Sequence, residues 1–314
     1  MGFRGALPGL AALLLMAAQA LAADEFLSLP HGGLTRFAWV TDGRADRSKP
    51  APLILALHGF QPPELAERRR AQPEDLAWPA LTEEARRRGV IAVFPAAHRG
   101  QWALFPGLPN TLGPGGEPID DEAFILALVD RLVAQGRADP SRLFLTGISD
   151  GAIMAYRLAC RAHTPFAAVA PLIGTPQEET LAECTPDPPP ALLHLHGTED
   201  RVLPYEGWLF PGGRSVSVPE TMEHWRRLHG CTGQQRMALE DLDPEDGSTV
   251  ELMVWTGCQS TEPVIRYKVI GGGHDIPATD APQPAPSARH INRDIDTMTL
   301  IAEFFTATRP RPLP

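Results

Sequence analysis

Apolar residues gather in short continuous runs along this chain. Pro52 to Leu57, Val90 to Phe94, Leu143 to Leu145 with the β-branched Thr146, Phe166 to Leu172 and Ala191 to His196 carry little alternation. Runs of that length predict strands buried on both faces. Val250 to Trp255 and Val264 to Ile270 predict two more, and the weakly alternating Thr35 to Thr41 predicts an edge strand. Between them the period changes. Ile119 to Gln135 places Phe124, Ile125, Leu128, Val129 and Leu132 on one side of a helix that stops at Gly136. Leu81 to Arg88, Ala152 onward, Val218 to Leu228 with Trp225 turned inward, and Ile291 to Phe305 are further predicted helices. Strands alternating with helices predict the α/β class, with a mostly parallel sheet covered on both faces. Ala96 to Pro118, rich in glycine and proline after Pro106, predicts a long irregular loop, and such loops in compact domains are commonly functional.

The 314 residues, 43% hydrophobic and 21% charged, suffice for one core. Residues 1–22, with Arg4, the apolar Leu10 to Ala18 and Ala20-Leu21-Ala22, read as a signal peptide cleaved near Ala23. A single catalytic domain over 23–307 and a flexible proline-rich tail over 308–314 follow. The destination is the periplasm or the medium. No later segment is long and apolar enough to cross a bilayer, so no membrane partner is expected after cleavage. The net charge of −10 comes with lysine only at Lys49 and Lys268 and no basic stripe, which argues against nucleic acid. Export also changes the reading of Cys160, Cys184, Cys231 and Cys258: they are an even count in an oxidising compartment and allow three pairings. Cys160 with Cys184 and Cys231 with Cys258 is favoured, because each pair brackets a separate strand-containing segment. None stands in C-x-x-C spacing, and no metal or organic cofactor is implied.

The candidate chemistry starts at Gly147-Ile148-Ser149-Asp150-Gly151, a G-x-S-x-G turn between a strand and a helix. Such a turn lifts the serine hydroxyl clear of its neighbours, and a helix N-terminus behind it favours developing negative charge. The competing reading is a glycine-rich helix start capped by Ser149 or Asp150. A serine nucleophile needs a base, and the base needs a group that orients it. Asp200, in Gly197-Thr198-Glu199-Asp200, and His274, after Gly271-Gly272-Gly273, both follow predicted strands at the sheet edge where Ser149 stands. Glu199 and Glu206 are the other candidate acids; His224, His229 and His290 are the other candidate bases. The Asp150 and Phe60 amides are the candidate oxyanion donors. His58 and His196, each before a glycine, read as structural hydrogen-bonders rather than bases. Trp102 on the long loop and His58 are the candidate substrate contacts.

Several stretches together resemble the secreted poly(3-hydroxybutyrate) depolymerase-like and feruloyl esterase-like α/β-hydrolases. They are Leu57-His58-Gly59, Asp120 to Phe124, Gly147 to Ala152 with Met154 to Leu158, His196 to Asp200, Ser217 to Thr221 and Gly271 to His274. The resemblance spans about Pro52 to Phe305. It implies an α/β-hydrolase fold with a sheet of about eight strands, the triad Ser149–Asp200–His274, hydrolysis of a small or oligomeric carboxylic ester, and support for the two favoured disulfides. One departure stands out: members often carry Trp-Pro soon after the histidine, whereas here Asp275-Ile276-Pro277 follow. The absence of a further module after the closing helix favours small esters or soluble hydroxyalkanoate oligomers over crystalline polyester. A peptidase or acyltransferase of the same fold, or a non-catalytic binding protein, are the alternative readings; the oligomeric state stays open.

Overall fold

The computed structural model describes residues 23–105, 111–210, 213–279 and 291–312. The expected signal peptide therefore lies outside the described residues, as do His290 and most of the proline-rich segment before it. Ten strands form one sheet: β1 (Ala23–His31), β2 (Leu34–Asp42), β3 (Ala51–Leu57), β4 (Ile91–Pro95), β5 (Ala138–Ile148), β6 (Ala168–Leu172), β7 (Ala191–Gly197), β10 (Gly233–Ala238), β11 (Thr249–Thr256) and β12 (Val264–Ile270). A separate hairpin pairs β8 (Trp208–Phe210) with β9 (Gly213–Ser215). The order in the large sheet is β1-β2-β4-β3-β5-β6-β7-β12-β11-β10. From β4 to β12 neighbouring strands are parallel, and the outer pairs at both ends are antiparallel.

The expected strand count of about eight is thus corrected to ten among the described residues. The two added strands are the edges. β10 is Gly-Gln-Gln-Arg-Met-Ala, exposed at nearly every position, and leaves no hydrophobic run to read. β1 pairs with β2 along its whole length, so the Thr35–Thr41 segment is covered rather than an edge.

Alternate residues of the central strands feed two cores. Leu53, Leu55 and Leu57 of β3 pack on the side of α3 (Asp121–Ala134), α4 (Asp150–Ala159) and α6 (Val218–Leu228). Ile54 and Ala56 face the side of α2 (Pro79–Arg88) and α7 (Thr297–Ala307). β3 is buried along its length, as its unbroken apolar run requires. α6 starts with a full capping box, Ser217 and Glu220 each satisfying the other's backbone N–H. α7 begins at Thr297, not Ile291, because Asp296 caps it by accepting from the Thr299 N–H.

Both favoured disulfides are present, Cys160–Cys184 and Cys231–Cys258. In the described part of the tail, Arg311 donates from its backbone to the Ser141 carbonyl and from its guanidinium to the carbonyls of Phe166 and Pro188.

Candidate active site

The turn between β5 and α4 holds Ser149 at φ 56° and ψ −119°, a conformation that side chains other than glycine rarely adopt. The glycines beside it are required by close approach. A Cβ on Gly151 would lie 2.2 Å from the Leu57 carbonyl oxygen, and one on Gly147 would be driven against the Gly151 carbonyl. Strand β3, the elbow and α4 therefore pack backbone to backbone. Gly59, just past β3, brings its own chain to within 3.1 Å of Ser149 Cβ, measured from where its Cβ would stand.

Two loops meet the elbow. Past β7, Asp200 Oδ1 accepts from the Val202 and Leu203 N–H groups at 2.8 and 2.9 Å. Its Oδ2 lies 2.7 Å from His274 Nδ1 and 3.3 Å from His196 Nε2. Past β12, His274 Nε2 lies 3.0 Å from Ser149 Oγ. With Nδ1 donating to the carboxylate, Nε2 is left as an acceptor for the serine hydroxyl. The two loops are bound to each other as well: Glu199 N–H donates to the Gly272 carbonyl and Gly271 N–H to Thr198 Oγ1. A Cβ on Gly197 would lie 2.4 Å from the Gly272 oxygen, so this crossing also needs a glycine.

Burial alone would raise the Asp200 carboxyl. Hydrogen bonds from His196, His274 and the Leu203 amide outweigh it and hold the pKa well below the ordinary aspartate value. Asp150 has no such donors. Burial pushes it up to about 6, with the nearby His274 working in the other direction.

Of the other candidates, His224 is half-buried on α6, and His229 bonds the Glu262 and Pro190 carbonyls at the far end of that helix. His196 is fully buried and donates from Nε2 to the Leu203 carbonyl at 2.8 Å, which fixes the turn that carries Asp200. The sequence reads His196 as a structural hydrogen-bonder; that its acceptor is the Leu203 carbonyl is visible only in the fold.

The two candidate substrate contacts, His58 and Trp102, are both buried and bonded to the protein's own backbone. Trp102 has no exposed surface: its indole N–H donates to the His58 carbonyl at 2.7 Å and its ring lies 4.9 Å from the His58 ring. His58 Nε2 accepts from Ala97 N–H at 3.0 Å, so Nδ1 carries the proton and donates to the Gly59 carbonyl at 2.6 Å. Burial lowers His58 to about 4, which keeps it neutral. Because the carbonyl and N–H of one trans peptide point in opposite directions, anchoring the Gly59 carbonyl aims the Phe60 N–H away from the His58 ring. The Phe60 ring itself is largely exposed. A buried pair, Arg36 with Asp121, braces the same region from below: Arg36 also donates to the Ala96 carbonyl, and Asp121 accepts from Ala103 N–H.

Among the described residues no cluster of side chains is arranged to hold a metal ion. The constellation is that of a serine hydrolase on an α/β-hydrolase sheet. Comparison with known proteins agrees with that class. Residues 96–181, which include the elbow, match the family model described as esterase PHB depolymerase. Feruloyl esterase C of Emericella nidulans is 34% identical over 73% of this chain and 72% of its own length. Poly(3-hydroxyalkanoate) depolymerase C of Paucimonas lemoignei is 25% identical over 87% of this chain and 67% of its own. The solved acetyl xylan esterase from Aspergillus awamori shares the fold, with a TM-score of 0.53 at 14% identity, over 80% of this chain and 94% of that one. The chain belongs to the esterase family of its relative feruloyl esterase C and is a carboxylic ester hydrolase.

Proposed function

We propose that Ser149, His274 and Asp200 form the catalytic triad of an exported esterase that works through an acyl-enzyme. The observation that carries this reading is the continuous relay from Ser149 Oγ to His274 Nε2 at 3.0 Å and from His274 Nδ1 to Asp200 at 2.7 Å. His274 takes the hydroxyl proton as Ser149 Oγ attacks the ester carbonyl, and the charged imidazolium is stabilised by Asp200, which stays ionised. The amides of Asp150 and Phe60 receive the oxyanion. The tetrahedral adduct then expels the alcohol, which leaves with the proton from His274. Water, deprotonated by the same imidazole, attacks the acyl-enzyme and releases the acid with Ser149 restored. Hydroxyalkanoate oligomers and small or aromatic acyl esters are the substrate classes that the relatives' names suggest. Two disulfides support export to an oxidising compartment.

The test is hydrolysis of nitrophenyl acetate, 3-hydroxybutyrate oligomers and methyl ferulate by the purified protein and by Ser149→Ala. The variant is expected to fold and to lose at least about 10⁴-fold in kcat. Retained turnover in a folded Ser149→Ala protein would remove the nucleophile, and the preferred ester among the three assigns the acyl class.

A further inference from the structure

Strand β7 turns two histidines, His194 and His196, to the same face of the sheet, and both are fully buried. An imidazole placed there loses its water, so the groups its nitrogens meet decide what it contributes. His194 Nδ1 lies 2.8 Å from the Tyr156 hydroxyl of α4. His196 faces the acid instead: its Nε2 lies 2.8 Å from the Leu203 carbonyl and 3.3 Å from Asp200 Oδ2. Two acceptors at one nitrogen place the ring proton on Nε2. The other nitrogen agrees with that tautomer. Nδ1 is buried without a hydrogen-bond partner among the described residues, and a proton there would be left without an acceptor.

Asp200 Oδ2 is therefore shared. His274 Nδ1 reaches the same oxygen at 2.7 Å, while Oδ1 is taken by the Val202 and Leu203 amides. Each donor that stabilises the carboxylate lowers its affinity for protons, and with it the pull it exerts on the imidazole across the shared oxygen. We propose that His196 is a positioning residue for the triad, whose Nε2–H occupies part of Asp200 Oδ2 and so limits how strongly Asp200 holds the charged form of His274. The inference rests on the triad reading and adds a consequence to it. His274 stays free to accept the Ser149 proton further into the acid range than an Asp200 engaged by His274 alone would allow.

The other titratable groups around this cluster come from three elements. Asp150, at the start of α4, interacts with His274. Tyr205 stands edge-on with its ring 5.9 Å from His196, and Lys268 of β12 lies over the far side of that cluster, 5.5 Å from the Tyr205 ring. The His194 ring is 5.5 Å from that of His196, with Arg266 near it. All of these keep their identity in a His196 variant, so a displacement between variants reports His196.

The test compares the unsubstituted protein with His196→Leu, which removes the N–H, and with His196→Gln, whose amide returns a donor, each verified as folded by circular dichroism. In the first arm, which needs no turnover, proton NMR follows the downfield resonance of the His274 Nδ1–H that bonds Asp200. It is expected to move further downfield in His196→Leu and to stay in place in His196→Gln. Its absence from the unsubstituted protein removes the triad reading together with this inference, whereas its presence unmoved in both variants overturns this inference alone. In the second arm, kcat/KM for nitrophenyl acetate is measured against pH. The acid limb is expected to shift upward by about half a pH unit in His196→Leu, about a threefold loss at a pH on that limb, with KM unchanged and the profile restored in His196→Gln. A histidine that merely braced the turn would lower activity equally at every pH, and that uniform loss overturns the inference. Should neither variant fold, ring-nitrogen NMR of the unsubstituted protein decides: His196 protonated at Nε2 supports the role, and protonation at Nδ1 overturns it.

Discussion

Asp150 stands one residue after the nucleophile, where its amide serves the proposed oxyanion site while its carboxyl is held off water. The side chain is ordinarily half-ionised at 3.8 but is pushed up to about 6 here, by burial. The folded protein therefore keeps a proton that the unfolded chain has released between those values. Stability contributed by the protonated acid is full below about pH 4 and is lost as pH rises through about 6. Asp150→Asn removes the titration and keeps the backbone amide. Relative to the unsubstituted protein, the variant is expected to gain stability from pH 4 to pH 7, by at most about 3 kcal/mol for a two-unit shift. Urea denaturation at both ends of that range checks it, and a pH-independent difference would remove the shift. At this scale the sequence displayed Ser149, Asp200 and His274 through their glycine-rich surroundings. It could not display that Trp102 is a buried brace, because an indole on a loop looks the same whether it faces solvent or a neighbouring backbone carbonyl.

The elbow is the element on which the site depends. Gly151→Ala would set a methyl 2.2 Å from the Leu57 oxygen and 2.7 Å from the His58 oxygen, the backbone that leads into the oxyanion loop. These are backbone atoms in a central strand and cannot swing aside. A loss of about 3 kcal/mol or more is expected, together with loss of ester turnover. Thermal melting beside an activity assay checks this, and an unchanged melting temperature would mean that β3 yields more easily than its packing implies. Elements that are apolar on both faces, such as β3 and β4, were legible because near-complete burial leaves an unbroken run. β10 and the β8–β9 hairpin were not, since exposed pairing is stabilised by backbone hydrogen bonds that carry little side-chain signature.

Across the whole molecule, the triad draws on three segments separated by up to 125 residues, so its geometry is a property of the sheet. The disulfides reinforce that framework from behind. Cys160 ends the helix that starts at Ser149 and ties it to Cys184, while Cys231 joins the end of α6 to Cys258 after β11. Each closes a loop of about 25 residues, for which chain entropy gives about 3 kcal/mol. Reduction is expected to lower the melting temperature, and replacing each pair by serines in turn should divide the loss about equally. An unchanged melting temperature after complete reduction would show that the two cross-links add nothing to the native state.

By itself the sequence determined the fold class and singled out the glycine-flanked Ser149 turn, with Asp200 and His274 as its favoured partners, because each depends on local features: apolar runs long enough for buried strands, and glycines where backbones must cross. Tertiary structure alone decided which backbone groups His58, Trp102 and His196 bond, and how the edges extend the sheet to ten strands among the described residues. Those outcomes depend on which groups meet across many residues of chain, and burial and hydrogen bonding acquire their sign only once the neighbours are in place.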